Sequence, residues 1–390
     1  MKLDQKYERY FQYILFFIAS IFGIYIRYIG RDFLSADFAN CLNSWYLDIS
    51  SAGSEISALL AYRGDYPLPY AFLIWLLAKL PIPFLYSLKM LNCLIDYCLA
   101  IVIGKLAQRF QPNNSYSFYL GYSITLLLPN VFLNSCYWGQ CDALYTTFML
   151  AAILCWSYDK YPLMMFITGL AFSYKLQSIF ILPFLLIAYW LQKKFSILQF
   201  LIIPATMLFM NIPAIIAGYS PAITITKYMG LASGCPWLYY FYPNLWIFFQ
   251  ARPYYLFSTG AILLTTTVLL IFVVLLIKKN ISLTLDNSLY ILFWTAYTCV
   301  FLLPSMHERY GFFAELIAVL IAIINVRLIW IPFTMILCIL PKYLYALYLI
   351  ENPLWLQITE SVLNTGIYLV FTIWLLKYLF HEKPLLTSDK

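Results

Sequence analysis

The sequence predicts an all-α, polytopic membrane protein. Three observations predict it: 63% of the 390 residues are hydrophobic, only 11% are charged, and apolar runs recur from Phe11 to Phe380. Soluble domains carry about 25% charged residues, and a chain this poor in polar side chains cannot cover a water-facing globule of its own length. Aromatic residues make up 20%, with 35 Tyr and 11 Trp. That exceeds what lipid-facing helices need and suits interface belts and the lining of a ligand cavity. The net charge of +7 comes from 24 Lys and Arg against 17 Asp and Glu. Because the basic residues are scattered between apolar runs, they read as a topology signal, and no nucleic-acid partner is expected. The nine cysteines include no CxxC pair, so neither a zinc site nor a complete disulfide framework is indicated.

A span takes about 20 apolar residues, fewer where the bilayer thins locally. On that measure about twelve helices are predicted, at 11–29, 85–104, 116–136, 143–157, 162–175, 177–191, 197–217, 256–277, 287–304, 311–325, 329–349 and 358–380. The first follows the charged stretch Met1 to Arg9 without a small-residue cleavage site and reads as a signal anchor. With Lys2, Lys6 and Arg9 inside, the positive-inside rule puts Lys105, Arg109, Lys160, Lys193, Lys194, Lys278, Lys279, Arg327, Lys377, Lys383 and Lys390 on the cytoplasmic side with both termini. Asp32, Asp37, Asp48, Glu55, Asp65, Asp142 and Glu308 then gather outside or near that face. The run Leu68–Leu80 is too short to span and ends at Pro81 and Pro83, which reads as a re-entrant or outer-leaflet helix. Basic anchors at both ends of 162–191 ask for two short helices meeting near Lys175. The external loops 30–69 and 218–255 carry juxtamembrane helices but no separate domain. Residues 1–390 therefore read as one membrane domain, with a module at 10–217 and more variable helices at 218–390. The polar tail after His381 is expected to be disordered.

Several polar clusters interrupt the apolar runs. The first loop holds Asp37, Trp45 and the stretch Arg63-Gly64-Asp65-Tyr66-Pro67; each Asp, taken alone, is most simply a cap or turn former. Trp138-Gly139-Gln140-Cys141-Asp142 breaks two apolar helices with an amide and an acid. Lys175 and Gln177 sit between apolar residues, where an uncompensated ammonium costs several kcal/mol; its anionic partner is either a protein carboxylate or a ligand phosphate. His307-Glu308-Arg309-Tyr310 lies at an external helix end and is no HExxH zinc site, because position 311 is Gly. Asp96, in mid-span, is expected to be structural and paired with Lys89 or a neighbouring amide. Together the clusters offer carboxylates that can act as base, cations that can hold a phosphate and aromatics that can stack on a sugar ring.

The order of these motifs resembles that of the GT-C superfamily of integral membrane glycosyltransferases, in the branch related to GPI mannosyltransferase II and the dolichyl-phosphate-glucose glucosyltransferases. Asp37 with Trp45 is similar to the start of that family's first loop, and Gly64-Asp65-Tyr66-Pro67 to its DYPP signature. Trp138-Gly139-Gln140-Cys141-Asp142 resembles WGQxD, Lys175-x-Gln177 with Pro183 resembles K-x-Q…P, and His307-Glu308-Arg309-Tyr310 resembles HERY. The resemblance covers about residues 10 to 325. It departs at Pro67-Leu68-Pro69, where the family has consecutive prolines.

The resemblance implies inverting transfer of a hexose from a polyprenyl-monophosphate donor to an acceptor hydroxyl on a glycan, lipid or protein. Asp37 would be the general base. Lys175, His307 and Arg309 would hold the donor phosphate. Trp45, Asp65, Tyr66, Trp138, Gln140, Asp142, Gln177, Glu308 and Tyr310 would bind sugar or acceptor or support the loop. No DxD pair occurs in the first loop, so no metal and no cofactor is expected. The setting implied is a multi-pass protein of the bacterial plasma membrane, with an extracytoplasmic site in contact with the lipid bilayer. A transporter or lipid-linked-glycan flippase is the alternative; it predicts inverted repeats and functional charge at the bilayer centre, whereas here charge gathers towards one face and no repeat is visible.

Overall fold

A computed structural model describes residues 5–233 and 236–381. Lys2, Lys383, Lys390 and the tail expected to be disordered lie outside the described residues. Among the described residues the chain is helical, without strands. In order the helices are α1 (Gln5–Ile29), α2 (Asn43–Ser51), α3 (Leu68–Leu77), α4 (Phe84–Phe110), α5 (Ser117–Leu127), α6 (Pro129–Phe132), α7 (Asp142–Ser157), α8 (Tyr161–Tyr174), α9 (Leu182–Gln192), α10 (Ile202–Met210), α11 (Ile212–Ala217), α12 (Pro221–Ser233), α13 (Tyr254–Lys278), α14 (Leu285–Leu302), α15 (Phe312–Ile324), α16 (Trp330–Ala346) and α17 (Leu354–His381).

Six stretches among them are long and apolar enough to cross a membrane: Lys6–Asp32, Phe84–Phe110, Ile197–Ala217, Tyr254–Lys278, Val326–Ala346 and Leu354–Phe380. This is the build of a multi-pass membrane protein. Six further apolar helices are shorter, among them Leu68–Leu77, Asp142–Ser157 and Tyr161–Tyr174. The expected span 116–136 is corrected: α5 stops at Leu127, Leu128 is extended (φ −64°, ψ 127°), and a short helix and a π turn over Leu133–Trp138 follow. Pro129 is the cause, since proline drives the residue before it out of the helical region and supplies no N–H. Lys175 likewise separates α8 from the next turn in an extended conformation (φ −156°, ψ 139°).

The chain divides into two compact units. One unit comprises Met1–Ile179, Ile197–Cys235 and Tyr343–Ile350; the other comprises Phe180–Ser196, Pro236–Lys342 and Glu351–Lys390. In the first, α4 packs on α5 and α7, α8 packs on α7 and α10, and α1 covers α5. The α4–α5 approach is close because both faces are glycine: a Cβ on Gly121 would fall 3.0 Å from the Gly104 Cα. Small residues are what let membrane helices meet at such distances. In the second unit, α14 is buried from Asn287 to Leu302. It packs against α9, α13, α15 and α17, and starts from a capping box of Thr284 with Asn287.

An ion pair ties the first unit together, and it corrects the partner expected for Asp96. Arg27 Nε donates to Asp96 Oδ2 at 2.8 Å, and Nη2 lies 2.8 Å from the same oxygen. Ser135 also donates to it, while the Arg27 Nη1 reaches the carbonyl oxygens of Gly23 and Leu126, each at 3.1 Å. Side chains from α1 and from the π turn thus converge on one buried carboxylate of α4, and Arg27 ties in α5 through the Leu126 carbonyl. Lys89 lies two turns from Asp96, roughly 10 Å along the axis. It donates instead to the carbonyls of Gly30 (2.9 Å) and Phe33 (2.5 Å), at the end of α1, where carbonyls lack helical partners.

Removing one member of a buried pair strands the other charge, which typically costs about 3–5 kcal/mol. Asp96→Ala is therefore expected to lower the thermal midpoint in detergent by that equivalent, and Arg27→Met with Asp96→Leu to recover much of it. Equal losses in the single and double variants would contradict the pairing.

Candidate functional site

Within the first unit, residues from four separated motifs meet around Asp37. Ser35 begins the arrangement: its Oγ donates to the Trp138 carbonyl (2.7 Å) and accepts from the Phe38 N–H (3.1 Å). It caps the turn that carries Asp37 and stitches that turn to the 138–142 segment. At the far side Gly139 takes a left-handed conformation, φ +79°. Only glycine adopts this without penalty, and the reversal turns the side chains on either side of it towards the same carboxylate. Trp138 Nε1 donates to Asp37 Oδ2 at 2.9 Å, and Gln140 Nε2 donates to the same oxygen at 2.5 Å. Asp37 is half-buried, whereas Trp138 and Gln140 are buried.

The GDYP stretch adds the next layer. Tyr66 donates its phenolic hydrogen to Gln140 Oε1 at 2.9 Å. Its ring packs 5.1 Å from Trp45 and 5.0 Å from Tyr70, centroid to centroid. Tyr62 donates to the Tyr66 carbonyl at 3.2 Å. Burial raises the Tyr62 phenol well above its usual range, with the carboxylate of Asp65 adding to the effect, so it serves as a neutral donor. Lys227, from α12, donates to the Gly64 carbonyl (2.8 Å) and lies 4.4 Å from the Tyr62 ring centroid. Burial lowers the Lys227 ammonium's pKa while Asp65 opposes that shift. Asp65 itself is exposed.

Asp142 opens α7, where a carboxylate also faces the positive end of the helix. It is fully buried, ion-paired to Lys175, and accepts from Asn134 Nδ2 at 2.8 Å. The break after α8 brings Lys175 here. Its ammonium also lies 5.4 Å from the Tyr66 ring centroid and 5.5 Å from that of Tyr145. Of the two partners expected for Lys175, a protein carboxylate is the one present. Gln177 is half-buried in the 3-10 turn that follows.

The remaining site candidates belong to the second unit and form a cluster of their own. His307 packs its ring 4.1 Å from Tyr240 and 4.8 Å from Tyr310. Arg309 Nη1 lies 3.3 Å from Glu308 Oε1, with both side chains buried. The segment is held by its neighbour in space: Tyr242 N–H donates to the Met306 carbonyl and Ser305 N–H to the Leu238 carbonyl, each at 3.1 Å. Ser305 sits at φ +61°, a conformation costing about 1–2 kcal/mol for a residue with a Cβ. Its hydroxyl donates to the Trp237 carbonyl at 2.9 Å, which offsets part of that cost.

Sequence reasoning missed several partners. Lys342 on α16 lies 2.6 Å from Glu360 on α17 and donates to the Tyr239 hydroxyl at 3.1 Å, wholly buried. Ser35, Asn134 and Tyr240 were also not singled out. Their one signal is a polar or aromatic residue beside a motif, which spacing alone does not distinguish from a turn. Among the described residues no group of three or more His, Cys, Asp or Glu could hold a metal ion. No protein-family model and no curated protein matches the sequence.

If Gly139 serves through its left-handed backbone, Gly139→Ala costs about 1–2 kcal/mol, seen as a lower thermal midpoint. Gly366→Ala, in open space on α17, should be neutral or stabilising. Equal midpoints for the two variants would contradict the assignment.

Proposed function

We propose that the protein is a GT-C-like glycosyltransferase that moves a hexose, with inversion, from a polyprenyl-monophosphate donor to an acceptor hydroxyl on a glycan, lipid or protein. What supports the reading is the half-buried Asp37 carboxylate, oriented by Trp138 and Gln140. A carboxylate fixed in rotation and still reachable suits a general base, because proton transfer needs a positioned group as the new bond forms. Trp45 and Tyr66 offer aromatic faces of the kind that pack on sugar rings.

In this reading Asp37 takes the acceptor proton while the departing phosphate gains charge. From the resemblance alone, His307 and Arg309 are the cationic candidates for that phosphate. Lys175 is already neutralised by Asp142, and its role is to fix the start of α7 and the Tyr66 ring. Asp65, being exposed, is assigned to the loop surface and not to the base. The reading carries with it about twelve spans, cytoplasmic termini and an extracytoplasmic site in a bacterial plasma membrane.

The test is sugar release or transfer from a panel of synthetic polyprenyl-phosphate sugars by purified protein in detergent. Asp37→Asn is expected to lower turnover by about 10²–10⁴-fold with its thermal midpoint unchanged, the usual loss for a positioned base. Near-normal turnover in that variant would overturn the base assignment. Arg309→Ala should weaken donor binding more than acceptor binding; equal losses would count against the phosphate role.

A further inference from the structure

The hydroxyl of Tyr66 does more than pack. We propose that Tyr66 is a positioning residue for Asp37, acting through the Gln140 side chain, which is locked into one of its two amide orientations. The inference rests on the base reading above and deepens it. The chain of donors runs in one direction: Tyr66 donates to Gln140 Oε1 at 2.9 Å, and Gln140 Nε2 donates to Asp37 Oδ2 at 2.5 Å. An amide has an accepting end and a donating end. With Tyr66 on the accepting end, the donating end faces the carboxylate; rotated by half a turn, Gln140 would set its oxygen against a carboxylate oxygen, acceptor against acceptor.

The phenol can hold that orientation because its ring is itself held. Trp45 and Tyr70 pack on it, Lys175 lies 5.4 Å from its centroid, and its backbone carbonyl accepts from Tyr62. The Asp142–Lys175 ion pair therefore braces the same ring whose hydroxyl sets the amide. Gln140 is buried, so water is a poor substitute for a lost partner on its oxygen, and losing one donor frees the amide to sample orientations that leave Asp37 less well aimed. Positioning of this kind acts on turnover, since a misoriented base affects the chemical step more than donor capture.

Tyr66→Phe isolates the hydroxyl, keeping the ring and its neighbours. The expected result is a fall in kcat of about 3–30-fold, the usual range for a lost hydrogen bond to a neutral or charged network, with the KM for the donor and the thermal midpoint unchanged. In a Gln140→Leu background the same substitution should have no further effect, because the two side chains act as one chain. A role confined to packing would leave Tyr66→Phe at the turnover of the parent protein, and that result overturns the inference. Effects that multiply in the double variant also overturn it, since Tyr66 would then act independently of Gln140. Asp37→Asn measured alongside separates the two levels. If that variant stays active, the base reading falls; if it is inactive while Tyr66→Phe is normal, only the positioning role of Tyr66 falls.

Discussion

A charge carried among apolar helices must find its counter-charge inside the protein, and that constraint organises this fold. An ionised side chain at the centre of a spanning helix costs on the order of 2.5–3.5 kcal/mol even on the most lenient scale. Four buried pairs answer it here, Arg27 with Asp96, Lys175 with Asp142, Lys342 with Glu360 and Arg309 with Glu308, while the buried Lys89 is met by backbone carbonyls. The pairs are long-range in sequence, except Arg309 with Glu308, and so they choose which helices become neighbours within each unit. Arg27 and Asp96 join α1 to α4, and Lys175 and Asp142 join the end of α8 to the start of α7. Burying such pairs is a weak source of net stability; their effect lies in specifying one arrangement over others.

The second constraint is that a helix cannot be interrupted in an apolar setting without its backbone groups being satisfied elsewhere. Three interruptions carry Trp138, Gln140, Asp142, Lys175 and Gln177, the candidate residues of the first unit outside its first loop. Leu128 before Pro129 releases the π turn that ends at Trp138, Gly139 reverses the chain, and Lys175 leaves the helical region. Near the π turn and Gly139 neighbouring groups take up what the helical backbone gives away: the Ser35 hydroxyl donates to the Trp138 carbonyl, and the Gln140 backbone N–H donates to the Asn134 carbonyl. Interrupted helices thus become the places where carboxylates, amides and phenols collect, which is why the polar motifs and the breaks coincide.

Much of this was legible from the chain because breaks and polar insertions are local. The separation of two helices at Lys175 follows from basic residues at both ends of 162–191, and the ten-residue α3 follows from an apolar run bounded by prolines. The 116–136 reading failed because hydropathy does not register that Pro129 ejects its predecessor from the helix. The partners were less accessible. Lys89 was the natural candidate for Asp96 on helical spacing, but spacing describes neighbours on one helix, and the true partner comes from α1. Lys342 and Glu360 lie beyond the region of family resemblance, and nothing in their local sequence marks them as a pair. Asp37, Trp138, Gln140 and Tyr66 could be singled out as motif residues, yet that Tyr66 and Gln140 form a chain ending on Asp37, where Trp138 also donates, is visible only in three dimensions.

The enzyme and transporter readings part on where a lipid-linked sugar would sit relative to Asp37. The direct measurement is a cryo-electron microscopy structure of the purified protein with a non-hydrolysable phosphonate analogue of a polyprenyl-phosphate sugar. The account predicts the sugar against Trp45 and Tyr66, with its anomeric carbon placed so that a hydroxyl attacking it would hydrogen-bond to Asp37. A sugar bound away from Asp37, in a path leading across the bilayer, would contradict it.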